Sequence, residues 1–384
     1  MAQPITSPYF EGNILTLRIQ RPGSKQNALP PQLASSGIGD KLQAKIVSVM
    51  EPSTMSVVVE VELLPDPSQG EQTAPSRMVL KAYDRQLAPE LRDFKGKSGL
   101  ATRETEEEYK AFLRRPGAMS QFLAAYDDHG AWAYAAEDWD TPRREAYFHA
   151  ASARSHGVEL QVYDRLVALQ GVHVPTLFAD VRLGPQQQQQ EEEEEGKGGL
   201  LAEYTEIRAI LIEYIPGFSL NDLVTETPKS DWAGICDQAI GAVQKIIDHD
   251  FVNYDFAPRN ALVVRRGGSG HGGDVGEEEA DGSAAPSPYS YQVFYIDFGQ
   301  CAFRDASVTD EEWRETKRQR DEEGAIGCLL AHRVEFPNGK PKGKKAKKCR
   351  APLPLAWTYT PSDRFQGEYI ELYDTVESEE ATKD

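Results

Sequence analysis

The sequence predicts an α+β fold, because a β-rich segment early in the chain is followed by long helices. Three β-branched runs occupy residues 42–49, 56–64 and 77–83, and turn-forming or Pro- and Gly-rich segments separate them, so we expect an antiparallel meander. Helices are predicted at 141–170, with Thr141 as the cap and a proline in the first turn, and at 232–248, where apolar residues recur at helical spacing. The 384 residues suffice for one two-lobed domain or two small ones.

Composition and charge argue against several classes of protein. The chain carries 42 Lys and Arg against 61 Asp and Glu, a net charge of −19, so nucleic acid is not an expected partner because its phosphates repel the protein. No window approaches the ~18–20 apolar residues of a membrane helix, so no membrane span is predicted. The four cysteines form no CxxC pair, and the start MAQPITSPYFEGN lacks the features of a secretory signal, so we expect a cytoplasmic protein.

Segments of biased composition interrupt the chain. Residues 1–40 are rich in Pro, Ser, Gln and Gly and predict an N-terminal extension, although the alternating run 14–19 is compatible with a strand. Five Gln followed by five Glu lie within 185–199, and 267–290 is rich in Gly, Ser and Glu. Both segments are predicted to be solvated loops that the fold does not need.

The last segment, 336–384, combines a basic run with an acidic tail. Residues 340–350 contain seven Lys or Arg. Such a run is compatible with a nuclear localisation signal, with a contact to an anionic surface, or with a solvated loop neutralised by the chain's own acidic segments. The sequence leaves these alternatives open, so a nuclear location stands beside the cytoplasmic one.

Three oxygen-bearing side chains flank a predicted hairpin in the second half of the chain. The segment NYDFAPRN contains Asp255 and Asn260 and precedes two predicted strands at 261–264 and 292–296, and Asp297 follows the second strand. The hairpin therefore brings the three side chains to one end of the structure. Converging carboxylate and amide oxygens suit a hard cation that also binds substrate phosphates.

These motifs resemble the protein kinase-like superfamily, which has an Asp, an Asn five positions on, and then a hairpin ending in Asp-Phe-Gly. The resemblance implies that Asp255 orients and deprotonates an acceptor hydroxyl, while Asn260 and Asp297 hold magnesium against the phosphates of ATP. The segment DFAPRN is similar to the tyrosine-kinase variant of this loop, so Arg259 would supply the positive charge that Ala257 lacks.

Two residues upstream agree with the same resemblance. Lys81 lies on the third predicted strand, and Glu159 leads the apolar face of the next long helix. The resemblance implies that they form an ion pair in which Lys81 contacts the α- and β-phosphates. Glu145 is the second candidate, if the helix docks in another register. The structural alternatives are a solvated edge lysine and an exposed helix glutamate.

The segment ILIEYIPG at 210–217 resembles the kinase hinge, an apolar strand that ends in Glu-aromatic before a glycine. The resemblance implies that the backbone of Glu213, Tyr214 and Ile215 meets adenine, with Ile212 behind it as gatekeeper. The motifs occur in kinase order over about residues 42–330.

The chain departs from the family pattern in the phosphate-clamping loop and around the catalytic loop. The loop MEPSTMS at 50–56 has no glycine, although backbone amides must approach phosphates there. Asn253 and Tyr254 stand where kinases have His and Arg, and no Ala-Pro-Glu motif follows. The pattern looks more like atypical and fungal kinase-like proteins than a mainstream protein kinase. Aminoglycoside-phosphotransferase-like enzymes also lack that last segment.

The resemblance therefore implies a bilobal kinase-like fold, with a five-stranded antiparallel sheet in an N-lobe at 41–215 and a truncated helical C-lobe at 216–335. We predict an ATP- and magnesium-dependent phosphotransferase that acts on a hydroxyl of a protein or small-molecule acceptor. The alternative is a pseudokinase, which uses the same fold as a binding or scaffold module without turnover. The glycine-free loop favours this alternative.

Overall fold

The structure is a computed structural model of the chain. It describes residues 3–25, 30, 33, 36–51, 54–65, 76–92, 101–128, 139–184, 198–267, 289–335 and 357–362. The chain divides into an N-terminal unit, Met1–Val167 with Thr176–Tyr214, and a C-terminal unit, Ala168–Pro175 with Ile215–Asp384. Most of the two low-complexity insertions, and all of the basic run and the acidic tail, lie outside the described residues.

In the described residues of the N-terminal unit, six strands form a closed antiparallel sheet. They are β1 (Ile14–Pro22), β2 (Lys41–Met50), β3 (Val57–Leu63), β4 (Arg77–Tyr83), β5 (Leu177–Leu183) and β6 (Ile207–Glu213). Their order around the sheet is β1-β2-β3-β4-β6-β5. The predicted meander is confirmed as β2, β3 and β4, and the mixture of strands and helices confirms the α+β class.

The sheet has six strands rather than the predicted five, because β1 closes it. β1 pairs with β2 on one side and with β5 on the other. Its alternate residues Leu15, Leu17 and Ile19 are buried in the apolar core inside the sheet, while the residues between them face outward. This strand comes from the segment whose composition predicts an extension, and the predicted domain boundaries stay predictions.

The helices of this unit lie outside the sheet. Those within the described residues are α1 (Pro89–Arg92), α2 (Arg103–Leu113), α3 (Ala118–Asp128), α4 (Thr141–Arg165) and α5 (Gly198–Thr205). The long helix α4 packs against β4 and β6 and covers the outer face of the sheet there.

α4 differs from its prediction at both ends. Asp140, rather than Thr141, is the N-cap, because its carboxylate accepts a hydrogen bond of 3.1 Å from the backbone N–H of Arg143. The helix ends at Arg165 instead of reaching residue 170, because the backbone of Leu166 leaves the helical conformation, with φ −93° and ψ 20°. Pro142 lies in the first turn as predicted.

The C-terminal unit combines short strands with helices. Its described elements are β7 (Phe218–Ser219), α6 (Leu223–Glu226), α7 (Trp232–Ile247), β8 (Phe251–Asn253), β9 (Ala261–Arg266), β10 (Ser290–Tyr295), β11 (Cys301–Phe303), α8 (Asp310–Arg320) and α9 (Glu322–Glu335). The predicted hairpin is confirmed as β9 and β10, which pair antiparallel, and β8 pairs with β11.

The core of this unit is built on α7, whose predicted apolar face is buried. α7 packs against α9 and β10 through that face. The helix therefore packs directly against strand β10 of the hairpin. None of the helices in the described parts of the chain is long and apolar enough to cross a membrane.

Candidate functional site

Lys81 lies in the middle of the sheet of the N-terminal unit, on strand β4. Its residue position pairs with Val58 of β3 on one side and with Ile210 of β6 on the other. Met78, Leu80 and Ala82 point into the closed sheet, so alternation places Lys81 on the outer face, beneath α4. The strand is buried on both faces, and Lys81 is therefore not a solvated edge residue.

The ammonium group of Lys81 forms an ion pair with Glu159 of α4. The distance from Lys81 Nζ to Glu159 Oε2 is 2.7 Å, and the two side chains are 8% and 1% exposed. The hydroxyl of Tyr83, on the same face of β4, also donates to Glu159 Oε2. Within the described residues, Glu159 Oε1 has no hydrogen-bond partner. The predicted contact is present, and the phosphate-binding role of the pair stays a prediction.

Glu145, the second candidate for this role, belongs to a separate buried network on the same helix. Its carboxylate receives two hydrogen bonds from Arg92, of 2.6 and 3.0 Å, and another from Arg85. Arg85 also pairs with Glu106 of α2 at 2.5 Å. Two arginines thus satisfy Glu145, and the register of α4 leaves Glu159 as the partner of Lys81.

The catalytic-loop candidates of the C-terminal unit are held by one another. Asn260 Nδ2 donates to the Asp255 backbone carbonyl at 2.8 Å and to Asp255 Oδ2 at 3.0 Å. Arg259 donates to the other carboxylate oxygen, Oδ1. Because the Asn260 amide nitrogen is used as a donor, its oxygen Oδ1 is the atom that can bind a cation. The Asp255 side chain is 21% exposed, so an acceptor can reach it.

Asp297 reaches the same region at the end of β10. The backbone N–H of Ile296 donates to the Asn260 carbonyl at 2.9 Å, so the hairpin ends beside Asn260. Asp297 has a φ of 66°, in the left-handed region that non-glycine residues rarely adopt. Such a conformation costs roughly 1–3 kcal/mol and persists where the surroundings enforce it. The buried ring of Phe298 follows directly and anchors the turn.

Asn253 connects the two aspartates, and sequence reasoning missed this role. Its Oδ1 accepts the backbone N–H of Asp255 at 2.8 Å, and its Nδ2 donates to the Asp297 carbonyl at 3.4 Å. Asn253 appeared in the sequence only as a departure from the kinase histidine. The available signal was an asparagine two residues before Asp255, because asparagine side chains bond to backbone two residues on.

A buried glutamate, Glu322, accepts a hydrogen bond from the backbone of this asparagine. Glu322 Oε1 accepts the backbone N–H of Asn253 at 2.7 Å. Burial raises the pKa of Glu322 to about 7, although Lys317 and the Asn253 N–H both lower it. Lys317 is itself buried and donates to the carbonyls of Ile247 and His249, at the carboxyl end of α7. Burial lowers the pKa of Lys317.

The predicted hinge residues are committed to contacts within their own units. In the N-terminal unit, Glu213 Oε2 accepts from the Thr176 N–H at 3.0 Å and hydroxyl at 2.9 Å, and the Glu213 N–H donates to the Thr176 carbonyl. Arg77 lies over the Tyr214 ring, 5.2 Å from its centroid. In the C-terminal unit, Ile215 is buried and its carbonyl accepts from the Gly217 N–H. The adenine-binding role stays a prediction.

The described part of the glycine-free loop packs on its own unit. The Thr54 carbonyl accepts a hydrogen bond of 3.3 Å from the Glu90 N–H of α1. Met55 packs beside Ala88, Leu91 and Phe148. The loop is thus held by α1 and α4, and its carbonyl and apolar groups are used for packing.

The donor set of the C-terminal unit fits a cation that arrives with a nucleotide. Over the described ranges, no group of three or more His, Cys, Asp or Glu is arranged to hold a metal ion. Asn260 and Asp297 would provide two hard oxygen ligands, which suits magnesium because this ion keeps waters and phosphates among its six ligands.

A separate groove of about 450 Å³ lies in the N-terminal unit, between α2, α3 and the start of α4. It is lined by Phe112, Phe122 and Trp139, with Arg115 and Arg143 beside them. None of the sequence-predicted site residues lines this groove, so its position gives no support to their roles.

No protein-family model matches the sequence, and no curated protein matches it. Among solved structures, the chain is similar to the Rio2 kinase from Chaetomium thermophilum, with 14% identity and a TM-score of 0.34 over 88% of this chain and 74% of that one. The ADP/Mg²⁺-phosphoaspartate complex of that kinase gives 14% identity and a TM-score of 0.35, over 86% of this chain and 67% of that one.

A third similar structure is a kinase-dead mutant of the Toxoplasma gondii kinase Ron13. Its sequence identity is 11% and its TM-score is 0.38, over 85% of this chain and 38% of that chain. The chain thus spans well under half the length of that kinase. TM-scores below 0.5 do not establish a shared fold, so we base the functional proposal on this chain's own residues.

Proposed function

We propose that this chain has a kinase-like fold and is an ATP- and magnesium-dependent phosphotransferase that acts on a hydroxyl group. The observation that carries the proposal is the arrangement of Asp255, Asn260 and Asp297 in the C-terminal unit. Asn260 and Arg259 orient the Asp255 carboxylate, and Asn253 bonds to the backbone of both aspartates. A general base beside two oxygen ligands is what phosphoryl transfer to a hydroxyl requires.

In this proposal Asp255 orients the acceptor hydroxyl and takes its proton. Arg259 holds the Asp255 carboxylate and adds positive charge where the phosphoryl group is transferred. Asn260 and Asp297 would hold magnesium, and neutralisation of phosphate charge is the chemistry that this ion supplies when bound. Positioning and charge neutralisation then account for the catalysis, since the protein forms no covalent bond to the phosphoryl group.

The N-terminal unit would bind the nucleotide. Lys81, held by Glu159 and Tyr83, is the cation for the α- and β-phosphates, and the backbone of residues 213–215 would contact adenine. Glu159 Oε1, which has no hydrogen-bond partner among the residues that the structure describes, is compatible with a pair whose surroundings are completed by a ligand or water. The acceptor class, and the similarity to atypical fungal or aminoglycoside-phosphotransferase-like enzymes, stay predictions.

A pseudokinase is the second candidate, and the loop at 50–56 favours it. In kinases this loop covers the phosphates through backbone amides. Here Thr54 and Met55 are packed against α1 and α4, and no glycine permits close approach. A protein with this loop would use the same fold to bind a partner without turnover.

Thermal unfolding with and without magnesium-ATP tests whether a nucleotide binds. A ligand at 100 times its Kd stabilises the folded state by about 2.7 kcal/mol, so Tm should rise with magnesium-ATP and little with magnesium alone. Asp297→Asn should reduce that rise without lowering Tm in the absence of ligand. Asp310→Asn, which changes an exposed aspartate of α8, is the matched control and should respond like the wild type. An equal rise in wild type and Asp297→Asn would contradict the metal role.

A further inference from the structure

The guanidinium of an arginine lies over the aromatic ring of the residue that precedes the proposed base. Tyr254 immediately precedes Asp255 and is 45% exposed. The guanidinium carbon of Arg320, the last residue of α8, lies 3.8 Å from the centroid of the Tyr254 ring. Stacking on an aromatic face orients a guanidinium and leaves the N–H donors at its edge available to other partners. Arg320 itself is exposed.

The guanidinium of Arg320 forms no side-chain hydrogen bond or ion pair with a carboxylate in the described part of the chain, although its charge lowers the pKa of the buried Glu322. Asp321 and Glu322 follow Arg320 directly, but Asp321 Oδ1 accepts the Gly324 N–H and Glu322 Oε1 accepts the Asn253 N–H. The neighbouring Arg318, in contrast, is paired with Glu315 at 2.8 Å. The five donors of this guanidinium belong to an exposed residue and form a planar fork of the kind that binds carboxylate or phosphate.

The position of Arg320 is fixed from both sides. Three residues before it, Lys317 donates to two backbone carbonyls at the end of α7 and beyond. Two residues after it, Glu322 accepts the backbone N–H of Asn253, which leads into Tyr254 and Asp255. Both anchoring side chains are buried. The backbone at Arg320 is therefore held beside the loop that carries Asp255, and the contact with the Tyr254 ring orients the side chain, which reduces the entropy lost when it binds.

We infer that the acceptor carries a phosphate or carboxylate close to its reactive hydroxyl, and that Arg320, stacked on Tyr254, binds this anionic group. The inference rests on the proposed function. Tyr254 and Asp255 are consecutive residues whose Cα atoms lie about 3.8 Å apart, so the stack flanks the loop position that an acceptor of Asp255 would approach. During transfer the bond between the γ-phosphorus and the bridging oxygen breaks, the acceptor oxygen bonds to that phosphorus, Asp255 takes the proton, and ADP leaves. Arg320 sets which acceptor is used and takes no part in the bond changes.

Two pairs of probes test the anion site on the full chain. The first pair is a serine peptide flanked by aspartates and the same peptide flanked by asparagines. The second pair is glycerol 3-phosphate and glycerol. Calorimetry without nucleotide measures Kd, and assays with magnesium-ATP measure KM and kcat. In the wild type at least one anionic probe should bind about 10-fold or more tightly than its neutral partner, and this preference should fall at high salt. The preferred pair distinguishes an acidic peptide from a phosphorylated small molecule.

Arg320→Gln is the test variant and Arg318→Gln is its control on the same helix end. Arg320→Gln should remove the preference and raise KM for the anionic acceptor about 10-fold, whereas Arg318→Gln should keep both. A wild type without preference in either pair, or equal losses in both variants, would overturn the inference. Anion binding without transfer, in a wild type that binds magnesium-ATP, would also overturn it. A preference that persists while magnesium-ATP gives no rise in Tm would instead count against the proposed function.

Discussion

The candidate ion pairs of the two units differ in how deeply they are buried. The Lys81–Glu159 pair of the N-terminal unit is sealed between a strand and a helix, and its side chains are 8% and 1% exposed. The Asp255–Arg259 pair of the C-terminal unit lies on a loop, with side chains 21% and 57% exposed. Removing the partner of a buried charge is strongly destabilising, whereas water can replace the partner of an exposed charge. Substitutions in the first pair should therefore affect both folding and the candidate function, whereas substitutions in the second pair should affect function with little loss of stability.

The largest expected effect is on folding, at Glu159. Glu159→Gln keeps the shape but leaves the Lys81 charge buried without its carboxylate, which should cost about 3–5 kcal/mol in the free energy of unfolding. Denaturant titration measures this loss. Lys81→Met combined with Glu159→Leu should recover much of it, because two apolar side chains leave no buried charge. A Glu159→Gln protein as stable as Glu107→Gln, which alters an exposed ion pair of α2, would contradict the comparison.

Asp255 should show the opposite behaviour, with a large loss of turnover and little loss of stability. Asp255→Asn removes the base, so phosphate transfer with magnesium-ATP should fall by roughly 10²-fold or more while nucleotide binding changes little. Its exposed pair with Arg259 contributes at most about 1 kcal/mol to stability. Asp310→Asn should keep full activity. Identical trace turnover in wild type and Asp255→Asn would mean that the turnover is not this protein's and would favour the pseudokinase.

Glu322 should make the stability of the C-terminal unit depend on pH. Burial raises its pKa from 4.5 to about 7, so the folded state binds a proton that the unfolded state has lost. Stability should therefore fall as pH rises from about 4.5 to 7 and level off above. Glu322→Gln keeps an acceptor for Asn253 without the charge and should stabilise by roughly 1–3 kcal/mol at pH 8, with little change at pH 4. Parallel pH profiles of Tm for wild type and mutant would exclude this effect.

The smallest effect is expected from the low-complexity insertions. Replacing 268–288 by a short Gly-Ser linker shortens the loop between β9 and β10, and loop closure changes by only about 0.6 kcal/mol for each doubling of length. We expect a stability change within about 1 kcal/mol and an unaltered response to magnesium-ATP. The same replacement at 185–197 is the corresponding test in the N-terminal unit. A loss above about 2 kcal/mol would show that the segment packs on the core.

Sequence reasoning found the elements that depend on short-range patterns. The meander, the helix α7 and the β9–β10 hairpin follow from apolar periods and turn residues that neighbours along the chain determine. The proximity of Asp255 and Asn260 was predictable for the same reason, since their five-residue spacing lies within one loop. β1 was only partly predicted: its alternation was visible at 14–19, but nothing local shows that its partner is β5, more than 150 residues away.

Contacts between distant segments were decided by the tertiary structure alone. Glu145 and Glu159 lie on the same helix, and only the docking of α4 against β4 assigns Arg85 and Arg92 to the first and Lys81 to the second. Likewise the Asn253 N–H donates a hydrogen bond to the Glu322 side chain, and such a contact leaves no periodicity or spacing in the sequence that could predict it.

The sequence by itself thus determined the α+β class and most strands and helices, and it predicted the candidate residues for phosphoryl transfer. The physical reason is that propensity, periodicity and turn chemistry act between near neighbours. The closed sheet, the partner of Lys81, the left-handed backbone of Asp297 and the stacking of Arg320 on Tyr254 were decided only in the folded chain. Each depends on packing and burial between segments far apart in sequence, and these acquire their energies only when the whole unit is assembled.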